Sequence, residues 1–146
     1  MKVKFHDQVE DNLIKFAVII SKFQNKWVFC KHKARDTYEC PGGHREPEED
    51  ILTAAKRELY EETGATEYTM VPISVYSVSS YDGVTKEETE TFGMLYYADI
   101  KVFGELPEYE IEKVELFKEL PDRWTYPLIQ PELIKKINTV IVNKST

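Results

Sequence analysis

Residues 43–65 read GHREPEEDILTAAKRELYEETGA, and this stretch decides the fold because it contains the most strongly patterned helix of the chain. Within it, Asp50–Thr63 carries apolar residues at helical spacing, separated by strong helix formers. An acidic residue opens the segment, and Gly64 stands where helices commonly end in a left-handed residue. The pattern therefore predicts a helix over Asp50–Thr63.

Two strands are predicted on the amino-terminal side of this helix. Leu13–Phe23 and Trp27–Lys31 are rich in β-branched and aromatic residues, and only three polar residues separate them, which is typical of a β-hairpin. The next segment, His32–Gly43, is polar and ends in Pro-Gly-Gly. Because these three residues interrupt regular structure, we predict a loop there.

On the carboxyl-terminal side the pattern changes between strand and helix character. Strands are predicted at Tyr68–Tyr81, Thr89–Ile100 and Val114–Phe117, and a helix at Leu128–Val142 with Pro131 in its first turn. Asp82 and Gly83 join the first two strands and favour the positive φ angles of a tight turn. Strands around an internal helix, with another helix at the end, predict an α/β fold in which helices cover both faces of a mixed sheet.

The composition of the 146 residues limits the classes of protein that fit. With 42% hydrophobic and 31% charged residues, the chain is expected to form one globular domain over residues 1–146. The net charge of −7 opposes electrostatic adhesion to nucleic acid or anionic lipid. Cys30 and Cys40 make neither a disulfide framework nor a zinc motif, and the longest apolar run is too short to span a bilayer. We therefore expect a cytoplasmic protein with no membrane partner.

Three glutamates of the predicted helix share one side of it. At roughly 100° per residue, Glu58, Glu61 and Glu62 fall in a narrow stripe that borders the apolar face. Like charges this close repel one another unless solvent or a cation relieves them. Clustered carboxylates suit hard divalent ions, and Mg²⁺ commonly combines a few of them with waters and substrate phosphates. The stripe therefore predicts a divalent cation site that acts on a diphosphate.

An acidic stripe is more often a solvated helix face, and a structural domain that binds nothing is the corresponding alternative. The spacing of the surrounding residues decides against it. Fixed intervals separate Gly43, Glu49, Arg57, the glutamates and Gly64. At average residue usage, the full pattern arises by chance in about one in a million such sequences.

At these positions Gly43–Ala65 resembles the signature of the Nudix hydrolases: Gly, five residues, Glu, seven residues, Arg-Glu, an aliphatic residue, any residue, Glu-Glu, any residue, Gly and an aliphatic residue. Ala65 is smaller than the usual aliphatic residue, and Pro47-Glu48 stands where many members carry a residue followed by Gly. The resemblance implies a Nudix fold, a mixed β-sheet sandwiched between α-helices, over the single domain 1–146. It also implies Mg²⁺ as the cofactor, with Mn²⁺ as a substitute.

The resemblance implies a set of metal ligands. Glu58, Glu61 and Glu62 are expected to bind the ion with their side chains. The backbone carbonyl of Gly42 or Gly43 is a further expected ligand, since residues without a side chain let the backbone approach an ion closely.

The resemblance also implies roles in catalysis. Arg57 is expected to hold a carboxylate in position through a charge-assisted bond, with Glu49 as the favoured partner. The general base is left open between two residues. Glu58 is the first choice, and Glu110, which precedes the third of the later strands, is the alternative, with three neighbouring glutamates competing for that assignment.

The expected substrate is a small nucleotide. Resemblance to the MutT-like branch favours hydrolysis of the diphosphate linkage of a nucleoside triphosphate or another nucleoside-diphosphate-linked compound, oxidised purines such as 8-oxo-dGTP included. An RNA 5′-triphosphate end is the less favoured substrate, because the chain is acidic, and a non-catalytic nucleotide-binding regulatory module is the alternative from another class. Lys31, Lys33 and Arg35 fit contacts with phosphate oxygens and surface solubility equally well. The oligomeric state is left open.

Overall fold

The computed structural model describes residues 1–144, which form one eight-stranded sheet with two α-helices. The elements are β1 (Lys2–His6), β2 (Ile14–Phe23), β3 (Lys26–His32), β4 (Tyr38–Glu39), β5 (Gly42–His44), α1 (Ile51–Thr63), β6 (Ala65–Asp82), β7 (Glu87–Phe103), β8 (Ile111–Phe117) and α2 (Gln130–Lys144). A single 3₁₀ turn, Asp11–Leu13, precedes β2.

The sheet is mixed, with the strand order β1-β6-β7-β2-β3-β4, while β5 pairs with β2 and β8 with β3. β2 and β7 run parallel at its centre, and the other pairs are antiparallel. α1 buries Ala55 and Leu59 in a cluster with Ile19 of β2. α2 buries Leu133 in a second cluster with Ile20 of the same strand. Because successive strand residues point to opposite faces, the helices cover the two faces of the sheet, and the predicted α/β fold is confirmed.

α1 begins and ends at the residues that the sequence indicated. The side chain of Asp50 accepts a hydrogen bond from the Thr53 backbone N–H at 2.7 Å and so caps the amino terminus. Gly64 adopts the left-handed conformation at φ 77°, and its N–H donates to the Tyr60 carbonyl at 2.8 Å. The helix is therefore fixed at both ends, which fixes the backbone positions of its glutamates.

The predicted amino-terminal hairpin is confirmed as β2 and β3. Gln24 and Asn25 form a two-residue turn with φ angles of 49° and 67°. The carboxyl-terminal helix is also confirmed, with Pro131 as its second residue.

The turn between β6 and β7 differs from the prediction. Gly83 does not adopt a positive φ, and the loop is wider than a two-residue turn, with Lys86 at φ 60°. The Asp82 side chain accepts hydrogen bonds from the Val84 and Thr85 N–H groups at 2.8 and 3.2 Å. A side-chain-supported loop therefore replaces the glycine-dependent turn.

The expectation of an irregular loop over His32–Gly43 is only partly right, because two short strands lie in it. β5 contains both glycines and pairs with β2, Gly42 opposite Val18 and Gly43 opposite Ala17. A Cβ atom at Gly42 would lie 2.5 Å from the Ala17 carbonyl oxygen. The glycines therefore serve a close approach between two strands.

The strand β1 has no counterpart in the sequence prediction. It is short and rich in charged residues, and it pairs with β6 from Lys2 opposite Ser79 to His6 opposite Val75. None of the helices within residues 1–144 has the length and apolar character needed to cross a bilayer.

Candidate active site

Arg57 lies at the centre of the acidic cluster on α1. Its Nε and Nη2 atoms donate to the two carboxylate oxygens of Glu49 at 2.8 and 2.9 Å, a bidentate pair. Its Nη1 donates to Glu58 at 2.8 Å and, more weakly, to Glu61 at 3.4 Å. Its Nη2 also donates to the backbone carbonyl of His44 at 3.1 Å, which ties α1 to β5.

The pairing with Arg57 perturbs Glu49 strongly. Hydrogen bonds from the Arg57 guanidinium and from the Glu46 backbone N–H lower the pKa of Glu49 to about 2. Glu49 therefore remains a carboxylate at any working pH. It is the partner of Arg57 that the family resemblance indicated.

Glu58 lies where β5 passes closest to α1. A Cβ atom added to Gly43 would lie 2.5 Å from the Glu58 carboxyl carbon, so glycine is required for this approach. Burial raises the pKa of Glu58, and the hydrogen bond from Arg57 opposes that rise. The carboxylate is thus held between a guanidinium and a backbone segment that has no side chain.

Glu62 is a partly buried carboxyl group with an unusual environment. Its Oε1 accepts a hydrogen bond from the Gly42 backbone N–H at 2.7 Å, and it forms no ion pair with a cationic side chain of residues 1–141. Burial raises its pKa to about 8, with a further contribution from the charge of Glu58. A bound cation would relieve this cost, because it would supply the missing counter-charge.

The predicted ligands lie together but do not form a finished metal site. Glu58, Glu61 and Glu62 share one side of α1, and Gly42 and Gly43 contact two of them. Across the described chain, however, no three acidic, histidine or cysteine side chains converge closely enough to hold one ion. Arg57 instead bonds Glu58 and Glu61. The oxygen donors, and the partly buried Glu62 without a cationic partner among residues 1–141, fit a hard divalent cation if the side chains rotate toward it.

Glu110, the alternative general base, makes no contact with this cluster among the hydrogen bonds and ion pairs of the described residues. Its carboxylate is 80% exposed and lies 3.2 Å from Nε2 of His32. No hydrogen bond or ion pair links it to the α1 glutamates in residues 1–144. Its role as a catalytic residue stays a prediction.

Two of the three basic residues that were candidates for phosphate contacts already pair with carboxylates. Lys31 forms an ion pair with Glu112, and Arg35 donates to Glu39 at 3.1 Å. A phosphate chain would therefore have to displace these carboxylates before it could use either cation.

A cavity of about 300 Å³ opens beside Gly42 and Gly43. Most of its wall is aromatic or aliphatic, and its lining includes Phe16, Val18, Tyr76, Val78, Tyr126 and Ile129. Gln130, Glu39, His44 and Thr91 add polar groups. Its position next to the acidic cluster suits a ligand with an apolar ring and an attached phosphate chain.

The sequence prediction missed this cavity and the polar residue Gln130 within it. The lining comes from several strands and from the start of α2, which lie far apart in the chain. The only local signal was a glutamine in the first turn of an otherwise apolar helix, and such a signal is too common to select a site.

A family model and a named relative match this chain. Residues 12–132 match the family model of the NUDIX domain. The chain is 33% identical over 123 residues to YtkD of Bacillus subtilis strain 168, whose name provisionally assigns it as an 8-oxo-dGTP diphosphatase; the match covers 84% of this chain and 73% of YtkD.

Two solved structures share the fold. The crystal structure of a mutant of the Bacillus subtilis pyrophosphohydrolase BsRppH superimposes with a TM-score of 0.77 at 28% identity, covering 95% of this chain and 90% of that one. A NUDIX hydrolase from Nitrosomonas europaea gives a TM-score of 0.65 at 17% identity, covering 86% and 89% of the two chains.

Proposed function

This chain belongs to the Nudix hydrolase family, and we propose that it is a Mg²⁺-dependent pyrophosphohydrolase that cleaves the diphosphate linkage of a nucleoside triphosphate or a related nucleotide. One observation carries the proposal. The cluster around Arg57, with the partly buried Glu62, lies beside a mainly apolar cavity of about 300 Å³. One part of this site suits a phosphate chain and its cation, and the other suits a base.

The family uses a divalent metal ion, and Mg²⁺ is our proposal for its identity, with Mn²⁺ as a substitute. Glu58, Glu61 and Glu62 would hold it, with a backbone carbonyl of Gly42 or Gly43. When bound, the ion supplies charge neutralisation of the diphosphate and activation of a water molecule. The oxygen donors of the site and the lack of a counter-charge at Glu62 support this assignment.

The protein residues have separable roles in this proposal. Glu58 is the general base that accepts the proton of the attacking water, and its raised pKa makes it a better proton acceptor than an ordinary glutamate. Arg57 positions Glu58 and Glu61 through direct hydrogen bonds. Glu110 is the alternative base, for which a movement of its exposed side chain would be needed.

Purine nucleotides, oxidised ones included, are the favoured substrates. The similarity to YtkD supports 8-oxo-dGTP, since that relative is named for it. The cavity supports a single base, because its volume lies at the lower end of the range of about 300–1,000 Å³ found for ligand pockets.

The 5′-triphosphate end of RNA is the second candidate substrate. The similarity to BsRppH, which covers 95% of this chain at a TM-score of 0.77, supports removal of pyrophosphate by a pyrophosphohydrolase, and an RNA 5′-triphosphate end carries the same triphosphate as a free nucleotide. Competition between a short 5′-triphosphorylated RNA and free nucleotides in one steady-state assay separates the two. Preference for the free nucleotide would remove the RNA proposal, and preference for RNA would replace the favoured substrate.

Turnover of a nucleotide panel with Mg²⁺ tests the reaction itself. We expect the wild-type protein to release pyrophosphate or phosphate, and Glu61→Gln and Glu62→Gln to lose at least about 100-fold in kcat/KM. The matched control is Glu67→Gln, which makes the same change at an exposed position on β6. Equal turnover in all four proteins would reject the role of the acidic cluster.

We further propose that residues 1–146 act as one domain in the cytoplasm. The shared sheet supports the first point, since it includes strands from both halves of the chain. The two free, buried thiols of Cys30 and Cys40 support the second, because a reducing compartment keeps such groups unpaired.

A further inference from the structure

The hairpin of β6 and β7 extends beyond the rest of the sheet. β1 pairs with β6 only as far as Ser79, and β2 pairs with β7 only from Phe92 onward. Residues 80–91 therefore form a two-stranded projection, the β6–β7 arm, which no third strand flanks within residues 1–144. Two strands without further support are only marginally stable in water, so the stability of the fold does not account for the arm.

The β6–β7 arm continues one wall of the cavity. Val78 and Thr91 both line the cavity and lie opposite each other in the hairpin. Because alternate residues of a strand point to the same face, this face continues along the arm. Its next two opposed pairs are Ser80 with Thr89 and Asp82 with Glu87. The hydroxyl groups of the first pair share a hydrogen bond at 3.1 Å, and one concavity of the surface is lined by all four residues.

The β6–β7 arm is strongly acidic. It contains one cation, Lys86, and four carboxylates, those of Asp82, Glu87, Glu88 and Glu90. Asp82 and Glu87 lie directly opposite each other, a like-charge arrangement that destabilises a strand pair. A negatively charged chain that leaves the cavity along this wall therefore meets two carboxylates on the same face.

Only two of the four carboxylates serve the fold. Backbone N–H groups of the loop, that of Val84 among them, donate to Asp82 and lower its pKa. Glu90 accepts a hydrogen bond from the Ser77 hydroxyl at 2.9 Å. The side chains of Glu87 and Glu88 are exposed and make no hydrogen bond or ion pair among residues 1–141. Their charges are therefore not compensated by a contact in this part of the protein.

We propose that Glu87 is a specificity-determining residue that repels nucleic-acid chains and so favours free nucleotides over the 5′ ends of RNA. The inference rests on the proposed function, because it takes the cavity as the base pocket. A free nucleoside triphosphate ends at its sugar, whereas RNA continues from that sugar with one negative phosphodiester per nucleotide. A phosphodiester that follows the cavity wall onto the arm comes within the Debye length of Glu87, about 8 Å at physiological ionic strength, so the repulsion is not fully screened.

Kinetics with GTP and with a short RNA that begins with 5′-triphosphorylated guanosine test the proposal. Both substrates present the same reacting group, so a difference between them reports on the chain that follows. We expect Glu87→Lys to raise kcat/KM for the RNA about three- to tenfold and to change that for GTP by less than about twofold. Glu87→Gln, which only removes the charge, should have a smaller effect in the same direction.

The matched control is Glu67→Lys. It makes the same substitution at an exposed glutamate near the start of β6, at the opposite end of the same hairpin. Because it changes the net charge of the protein equally, it separates the local effect of the arm from the general acidity of the chain. We expect neither substrate to respond to it by more than about twofold. Glu88→Lys changes the other face of β7 and should affect the RNA less than Glu87→Lys.

Ionic strength provides a second measurement. Added KCl, at constant Mg²⁺, screens the repulsion between the arm and the phosphodiesters. The value of kcat/KM for the RNA relative to GTP should therefore rise with salt in the wild type and in Glu67→Lys. The rise should be smaller in Glu87→Lys.

The outcomes separate this inference from the proposed function. Equal effects of Glu87→Lys and Glu67→Lys on the RNA overturn the role of Glu87, and so does an equal gain for RNA and GTP. Calorimetric binding of GMP and of the 5′-monophosphorylated RNA, in the presence of Mn²⁺, measures the same selection without turnover. A selective gain in RNA binding by Glu87→Lys, in a protein that hydrolyses neither substrate, supports Glu87 and refutes the proposed reaction. If Glu87→Lys lowers the melting temperature, Glu87→Gln decides the question.

Discussion

Arg57 sets the geometry of the acidic cluster at the scale of single residues. Its guanidinium donates hydrogen bonds to three glutamates and to the backbone of β5, and the bidentate pair with Glu49 fixes its orientation. These carboxylates raise its pKa further, so it remains charged throughout. Only a planar fork of donors makes this set of contacts, because a lysine ammonium is a single point charge.

Replacement of Arg57 by lysine should therefore impair the site although the charge is retained. We expect Arg57→Lys to lower kcat/KM by about ten- to one-hundred-fold, since Glu58 and Glu61 lose their common anchor. Arg123→Lys is the control, because Arg123 forms an exposed ion pair with Asp36. An Arg57→Lys enzyme as active as the control would show that the anchor is dispensable.

Glu62 links metal binding to pH. Its pKa of about 8 in the metal-free protein means that it carries a proton at neutral pH, and a cation must displace that proton. Affinity for Mn²⁺ should therefore rise with pH, by up to about tenfold per unit, until the pH reaches about 8, and then level off.

The same shift predicts the stability of the metal-free protein. Because the folded pKa lies above the ordinary value of 4.5, folding takes up a proton in that range, and stability falls as the pH rises from about 4.5 to about 8. Titration calorimetry and chemical unfolding at several pH values measure the two effects. If Glu62→Gln keeps the full pH dependence of both, another group is responsible.

At the scale of elements, the contact of β5 with α1 is the feature that places the backbone beside the carboxylates. It depends on Gly43, where a Cβ atom would lie 2.5 Å from the carboxyl group of Glu58. The strand itself is held by its pairing with β2. The two glycines therefore allow a strand and a helix to share one small volume.

Gly43→Ala should displace Glu58 while the sheet persists. We expect kcat/KM to fall by at least about tenfold, since a shift of about 1 Å in a catalytic group is enough for such a loss. Gly83→Ala is the matched control, because a Cβ there meets no atom within 4 Å and φ is not positive. Full activity in Gly43→Ala would mean that Glu58 tolerates relocation, and circular dichroism checks that both variants are folded.

Local patterns predicted those elements whose stability is encoded nearby. α1 carries its own cap residues, Asp50 and Gly64, and the β2–β3 hairpin carries its own turn. In contrast, β1 and β5 exist because a distant strand pairs with them, and nothing within their few residues signals that partner. The prediction of a tight turn at Asp82 and Gly83 was wrong for a different reason. The Asp82 side chain stabilises a wider loop, which the glycine alone does not specify.

The candidate site was likewise predictable from the sequence only where a local pattern encodes it. Spacing on one helix grouped Glu58, Glu61 and Glu62 in advance, because they share a single regular element. The cavity was not predictable, since its wall is assembled from several strands and the start of α2. The place of Gln130 in the cavity wall was not predictable either, because its side chain is held by a hydrogen bond from the distant Cys40 N–H.

At the scale of the whole molecule, the site joins the two halves of the fold. α1 supplies the carboxylates, while β2, β5 and α2 supply the cavity beside them. A ligand bound there contacts elements that separate when the chain unfolds. Binding therefore stabilises the entire folded state rather than one segment.

Metal binding should accordingly raise the melting temperature. Mn²⁺ at one hundred times its Kd should add about 2.7 kcal/mol to the free energy of unfolding. Differential scanning calorimetry measures the effect. The double variant Glu61→Gln/Glu62→Gln should show no such shift, with Glu67→Gln as the control. An equal shift in the double variant would locate the stabilising ion elsewhere.

The parallel pairing of β2 with β7 also constrains how the protein is made. β2 emerges early from the ribosome, but its central neighbour comes from the second half of the chain. Such a long-range pairing requires a large loop to close, which slows folding. β2, which pairs with β5, therefore gains its central neighbour only after β7 has been synthesised. A nascent chain that stops short of Glu87 contains every glutamate of α1 but lacks the strand that completes the centre of the sheet.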